Sequence, residues 1–310
     1  MKKLLTIIFC CIISILMSGD KLFNVNLYDI YNNYYNNKSY SIVTNVKALS
    51  LSKYANDDYS SVVHSTTNFY PKDENELLNV YYTVLNNGWE KFSYYCDNSY
   101  NKCLKDIKNL SDKQGMFSNI NQIVHPFNSY KTIQSSYNYD KRIDINIIKK
   151  YSEEDIKKIN KKMNKIINEL NINEYDSTKD KIKVFHDYIA KTNKYDINKE
   201  NNTSKYNSDS AIGTLFEGHS ICSGYTDTMA IFLNMLGLDN VRVANDKHTW
   251  NAVKINGKWK HIDLTWDDPV TNTGEDVINY DYFLIDTNDL LKKKDNEHSF
   301  DTNVYNFLVK

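Results

Sequence analysis

The chain carries almost no net charge: 38 Lys and Arg against 39 Asp and Glu leave −1 over 310 residues. Such a balance offers no basic footprint, so neither nucleic acid nor an acidic lipid surface is an expected partner. Long apolar runs are also missing. The run from Leu4 to Met17 is 14 residues, short of the roughly 20 that span a bilayer comfortably. Preceded by Lys2-Lys3 and followed by Ser18-Gly19, it reads as a secretory signal over residues 1–19, cleaved so that the mature chain starts near Asp20. That reading implies a secreted or cell-envelope protein with no stable membrane insertion after cleavage. Cys10 and Cys11 lie mid-run behind bulky Phe9, which argues against a lipoprotein cleavage site. Cysteine is sparse: five in all, and three once the signal is removed. Proline is scarce at 3 and tyrosine common at 25, a bias that carries no functional reading.

Apolar residues make up 41% of the chain, enough for a globular core. Residues 20–61 are rich in Asn, Tyr, Ser and Lys without a helical or strand period, and read as a polar linker or arm. Residues 62–150 read as a small α+β domain. Its helices are expected over 74–85, 103–110 and 117–124, and its strands over 89–95, 130–137 and 143–148. Residues 151–310 form the second expected domain. It opens with a helix over 153–170, where Ser152 and Asp155 have capping-box spacing and Ile156, Ile159, Met163, Ile166 and Ile167 make an apolar stripe. A second helix over 179–191 follows Ser177 and Asp180 at the same spacing. His64, His125, His186 and His298 read as structural residues.

The informative stretch is 218–269. Tyr225, Met229, Phe232, Leu233 and Leu236 recur at three- and four-residue steps and Gly237 follows as a C-terminal cap, so a helix begins at or just before Cys222. The free N–H groups and positive end of that helix favour a thiolate, and the same N–H groups could hold an oxyanion. Asn256-Gly257 between two strand-like runs predicts a two-residue hairpin. Ile255 then faces Lys258, Trp250 faces Asp263, and His248 becomes a diagonal neighbour of Asp263. A carboxylate beside an imidazole fixes its tautomer and supports its cationic form. On this register Trp250, Ala252 and Trp259 share the face expected to pack on the Cys222 helix. Trp266-Asp267-Asp268-Pro269 reads as a rigid exit, its carboxylates capping local backbone.

Cys222, His248 and Asp263 are thus the candidate catalytic residues. Cys96 and Cys103 are close in sequence and would pair in an oxidising compartment, leaving Cys222 as the odd thiol. Two other readings stand beside the catalytic one. Cys222 could be a buried, inert cysteine, or His219, Cys222, His248 and His261 could ligate a metal, although zinc sites show tighter paired spacings. His219, Tyr225, Trp250 and Trp266 are candidates to line a cleft.

Three blocks of this stretch resemble the transglutaminase-like superfamily of secreted bacterial type, papain-like in its chemistry. They are Glu217-Gly218-x-Ser220-x-Cys222-x-Gly224-Tyr225, His248-x-Trp250-Asn251-x-Val253, and Trp259-x-His261-x-Asp263-x-Thr265-Trp266-Asp267-Asp268-Pro269. Tyr280-Asp281-Tyr282-Phe283-Leu284 and the helix before Cys222 extend the likeness over about residues 177–300. Where alanine often follows the histidine in that family, Thr249 stands here. The resemblance implies an α+β, papain-like core, with the cysteine helix packed on an antiparallel sheet and no cofactor. It also implies a Cys-His-Asp acyltransferase, protease or amidase acting on a protein or peptide substrate, with the cell wall as one source. A non-catalytic envelope-binding module on the same fold is the alternative.

Overall fold

The computed structural model describes residues 52–60, 62–111, 116–138, 142–199, 201–270 and 277–309. The expected signal, most of the expected arm and the start near Asp20 lie outside these residues. Helix α1 (Glu74–Asn86) starts on Asp73, whose carboxylate accepts the Glu76 N–H at 2.9 Å. Strand β1 (Lys91–Tyr95), helices α2 (Cys103–Leu110) and α3 (Met116–Ile123), and strands β2 (Tyr130–Tyr137) and β3 (Arg142–Lys149) complete the first segment. The three strands form an antiparallel sheet in the order β1-β3-β2. A disulfide joins Cys96 to Cys103, with Cα atoms 6.4 Å apart.

Helix α4 (Glu153–Glu169) carries the reciprocal cap expected from Ser152 and Asp155. Helix α5 (Thr178–Thr192) begins on Ser177. Two short parallel strands, β4 (Lys194–Tyr195) and β5 (His219–Ser220), then lead into α6 (Cys222–Met235). A four-stranded antiparallel sheet follows, ordered β6 (Asn240–Ala244), β7 (Thr249–Ile255), β8 (Lys258–Ile262) and β9 (Phe283–Asp286). Helix α7 (Leu264–Asp267) sits between β8 and β9, and α8 (Thr287–Lys292) follows β9. The architecture is α+β, with a cysteine helix on an antiparallel sheet.

Asn256 and Gly257 both have positive φ, 50° and 79°, as the tight hairpin turn requires. Ile255 pairs with Lys258 and Asn251 with Ile262, which is the expected register. The ladder stops one pair short of Trp250 and Asp263, because Asp263 leaves the strand to cap α7.

The sheet has a core on each face. Val241, Val243, Trp250 and Ala252 join the residues of α1, α3, β1 and β3 and the C-terminal Tyr305 and Leu308. Val253 and Ile262 join α4, α5 and α6. This reverses the expected packing of Trp250 and Ala252 against the cysteine helix. Asn251 and Val253, one residue out of phase, face α6 instead, and the Asn251 side chain donates to the Thr226 carbonyl at 3.0 Å. One core therefore draws on residues from 63 to 308 and crosses the boundary expected near residue 150. Among the described residues no helix is long and apolar enough to cross a membrane.

Candidate active site

Cys222 is the first residue of α6. Ile221 before it brings no side-chain cap, so no N-cap side-chain oxygen occupies the first-turn N–H groups. The approach is held tightly. The Ile221 N–H donates to the Ser208 carbonyl at 2.9 Å, and the Ser220 hydroxyl contacts Thr214 and Asn193 at 2.7 and 3.1 Å. Gly224 presses against the same loop: a Cβ there would lie 2.3 Å from the Ser208 carbonyl oxygen. The glycine is therefore required by close approach of two backbones. Cys222 keeps partial exposure as the free thiol among the described cysteines.

His248 lies just before β7, buried. Its backbone N–H donates to the Asn245 side chain at 2.9 Å. Its Nε2 bonds Asp263 Oδ2, and Cys222 adds an electrostatic interaction that favours the charged ring. Because Nε2 is taken by the carboxylate, Nδ1 is the ring nitrogen left for another partner. Burial alone would lower the proton affinity of this ring, but the Asp263 carboxylate and Cys222 outweigh it and raise the His248 pKa to about 10. Asp263 is also buried. Its burial opposes ionisation, yet His248 and His298 hold the carboxyl well below the usual carboxylate range.

Asp263 receives four N–H donors. Oδ1 accepts the backbone N–H groups of Thr265 and Trp266 at 2.8 and 3.3 Å. Oδ2 accepts His248 and, at 2.8 Å, Nε2 of His298. His298, read from sequence as structural, is thus in contact with the candidate catalytic carboxylate. The local clue was Asp295-x-x-His298, where the Asp295 carboxylate accepts the backbone N–H groups of Glu297 and His298 at 3.1 and 2.7 Å. Nothing in that turn says which distant residue the imidazole meets.

Residues 164–264 match the family model of the transglutaminase-like superfamily. This transglutaminase-like domain contains Cys222, His248 and Asp263, and ends before His298. A solved structure described as the crystal structure of a TGase is similar at 18% identity and a TM-score of 0.33, covering 56% of this chain and 51% of that one. The chain thus spans about half the length of that protein, a likeness too distant to carry an argument. The comparison with curated proteins finds no match.

The other expected site residues are placed differently. Tyr225 does not line a cleft: it is a core residue whose hydroxyl donates to Asp268. Trp250 is likewise buried, and its indole N–H donates to His261 Nδ1 at 3.0 Å. Its ring lies beside His248 at 5.9 Å and 15°, so it backs the imidazole. Trp266 is half-buried, its edge against His298 and its N–H on Glu297. His219 is half-exposed, stacked on Tyr206 at 3.7 Å, with Nδ1 on the Glu217 carbonyl. The Asp267 and Asp268 carboxylates are engaged internally, Asp267 with His186 and the Tyr282 N–H.

The metal-ligand set His219, Cys222, His248 and His261 is not assembled. His261 accepts from Trp250 and bonds Thr287 on its other nitrogen, and His219 is turned to Glu217. Among the described residues, His248, Asp263 and His298 have one potential ligand atom each within 4.8 Å of one another. Both Nε2 atoms aim at the same Asp263 oxygen, which is N–H···O geometry. A metal would have to come between these groups at about 2.0–2.2 Å from each.

A polar cavity of about 320 Å³ lies beside the site. Ser223 and Thr226 of α6 and Thr249 after His248 line one side, and Asn121, Tyr130 and Lys131 of the first segment line another. Its buried floor is Asp227 of α6, which binds Lys150 Nζ at 2.7 Å, the Tyr151 hydroxyl at 2.6 Å and Arg242 Nη1 at 2.6 Å. The first segment thus contributes to this wall.

Proposed function

We propose that the protein is a secreted or envelope-resident cysteine acyltransferase or hydrolase that acts on carboxamides, either Gln side chains or peptide bonds. The observation that carries this reading is the bonded pair Asp263–His248, coupled electrostatically to Cys222, with the sulfur at a helix N-terminus. The Cys222 sulfur attacks the carboxamide carbonyl carbon and a C–S bond forms. The Cys222 N–H is one donor to the resulting oxyanion. His248 gives its Nδ1 proton to the leaving nitrogen, the C–N bond breaks, and a thioester remains. A Lys-type amine or water then attacks the thioester and gives its proton to His248, and Cys222 is released. Asp263 holds the ring and balances its charge throughout. The polar cavity beside α6 supports a peptide-like substrate. Export is proposed from the residues 1–19 signal.

The test offers the purified protein dimethylcasein with and without a primary-amine probe, followed by mass measurement. Amine adducts indicate transamidation, and deamidation or cleavage indicates hydrolysis. Cys222→Ala is expected to abolish every product while leaving Tm nearly unchanged. If wild type forms no product and its Cys222 reacts with iodoacetamide like a free thiol, the reading fails and the binding-module reading replaces it.

A further inference from the structure

Asp263 serves two imidazoles, and the second is as carefully held as the first. His298 places Nε2 on Asp263 Oδ2 and Nδ1 on Asp295 Oδ1, both at 2.8 Å. A carboxylate oxygen thus faces each ring nitrogen. The result is a continuous bonded series, Asp295–His298–Asp263–His248. The His298 ring cannot swing away. Tyr282 stacks on it at 4.4 Å and 18°, and Trp250 and Trp266 meet it edge-on at 5.1 and 5.3 Å.

Its backbone is tied to that of His248 by one side chain. Asn245 Nδ2 donates to the carbonyls of Glu297 and Ser299, the two neighbours of His298, at 2.7 and 2.6 Å. Asn245 Oδ1 accepts the N–H groups of His248 and Lys247 at 2.9 and 2.8 Å. A histidine that merely filled space would need neither carboxylate partner nor this clamp.

We propose that His298 is a positioning residue for acyl transfer at Cys222, acting by holding the Asp263 carboxylate in line with His248 Nε2. This rests on the proposed function above. Backbone donors fix only Oδ1 of Asp263. Without His298, Oδ2 has a single partner, and that partner is the ring it must orient. The titratable groups around Asp263 are His248 before β7, His298 and Asp295 on the C-terminal segment, Asp267 on α7 and Tyr282 before β9.

Two substitutions in the full chain separate orientation from packing. His298→Phe keeps a ring for Tyr282 and the tryptophans but has no N–H. His298→Gln loses the ring but can carry an amide N–H toward Asp263. The readouts are the iodoacetamide alkylation rate of Cys222, kcat and KM for amine incorporation into dimethylcasein, and the low-field proton resonance of His248 Nε2–H. We expect His298→Phe to lower the alkylation rate and kcat by about 10²-fold, the cost of a misplacement on the order of 1 Å, with KM unchanged and the resonance shifted. His298→Gln should recover most of the rate and the resonance. The reverse order, with His298→Phe near wild type and His298→Gln slow, would overturn the proposal in favour of packing. If His298→Phe does not fold, His298→Gln decides alone: a rate as low as that of His248→Ala overturns it. Fast alkylation in both wild type and His298→Phe removes this inference and leaves the proposed function standing. Ordinary-thiol behaviour of wild-type Cys222 removes both.

Discussion

Replacing Asp263 by asparagine changes one atom and disturbs four hydrogen bonds. The carboxylate accepts two backbone N–H groups on Oδ1 and two imidazole N–H groups on Oδ2. An amide accepts on one side only. If its NH2 turns to α7, it faces the Thr265 and Trp266 donors, and a cap worth about 0.5–2 kcal/mol is lost. If it turns to the histidines, Nε2 of His248 must become an acceptor, which puts the ring in the wrong tautomer. In either case the negative charge that offsets burial of His248 is gone. Burial then weighs more heavily against the charged ring, and the pKa of His248 falls from about 10 toward its ordinary value. The rise from 6.5 to about 10 is on the order of 5 kcal/mol of imidazolium stabilisation at about 1.36 kcal/mol per tenfold change in affinity, shared between Asp263 and Cys222.

The sign for folding follows. His248 binds its proton more tightly folded than unfolded, so its contribution is complete below the unfolded value near 6.5 and is lost as pH rises through about 10. Asp263 has a depressed folded pKa, so its contribution is present above the ordinary aspartate range and is lost as pH falls below it. Urea denaturation as a function of pH should show both limbs in wild type and neither in Asp263→Asn. Histidine 15N resonances followed over the same range should show His248 charged at neutral pH only in wild type, and kcat should fall by up to roughly 10⁴-fold, as for the corresponding serine-protease change. A His248 that stays protonated near pH 9 in the variant would refute the argument that Asp263 sets its charge.

Three further outcomes are expected. Gly224→Ala drives a Cβ into the Ser208 carbonyl, so urea denaturation should register a loss of about 1–3 kcal/mol typical of overpacking. Asp227→Ala strands the Lys150 ammonium and the buried Arg242 guanidinium, and the same measurement should show about 3–5 kcal/mol. Reducing Cys96–Cys103 opens a small loop and should cost roughly 2–3 kcal/mol, while the iodoacetamide rate of Cys222 stays at its wild-type value in the folded protein.

What could be read from the chain was what short-range chemistry decides. Ser152 with Asp155 and Ser177 with Asp180 set two helix starts, and Asn256-Gly257 set the register that carries β7 and β8. Cys222 was legible because an apolar period has a first turn. The choice of sheet face was not. Strand alternation groups Trp250 with Ala252 and Asn251 with Val253, but both β7 faces are covered, so hydrophobicity does not say which one meets α6. Tyr225 was misplaced for a related reason: a tyrosine at an apolar position can be an accessible residue or, as here, a core ring satisfied by Asp268. His298 lies 35 residues from Asp263, and no periodicity or turn spans that interval.

The core that runs from residue 63 to residue 308 bears on how this protein can be made. The family-matching stretch, residues 164–264, is not a transplantable module. Cut out, it would bare Val241, Val243, Trp250 and Ala252 to water, deprive Asp227 of Lys150 and Tyr151, and leave Asp263 without His298. A ribosome that has completed Asp263 has supplied Cys222, His248 and Asp263 and still lacks the segment that carries His298. On the proposed function, Cys222 would gain its full set of partners only after the chain has passed His298, so an interrupted polypeptide should be released inert.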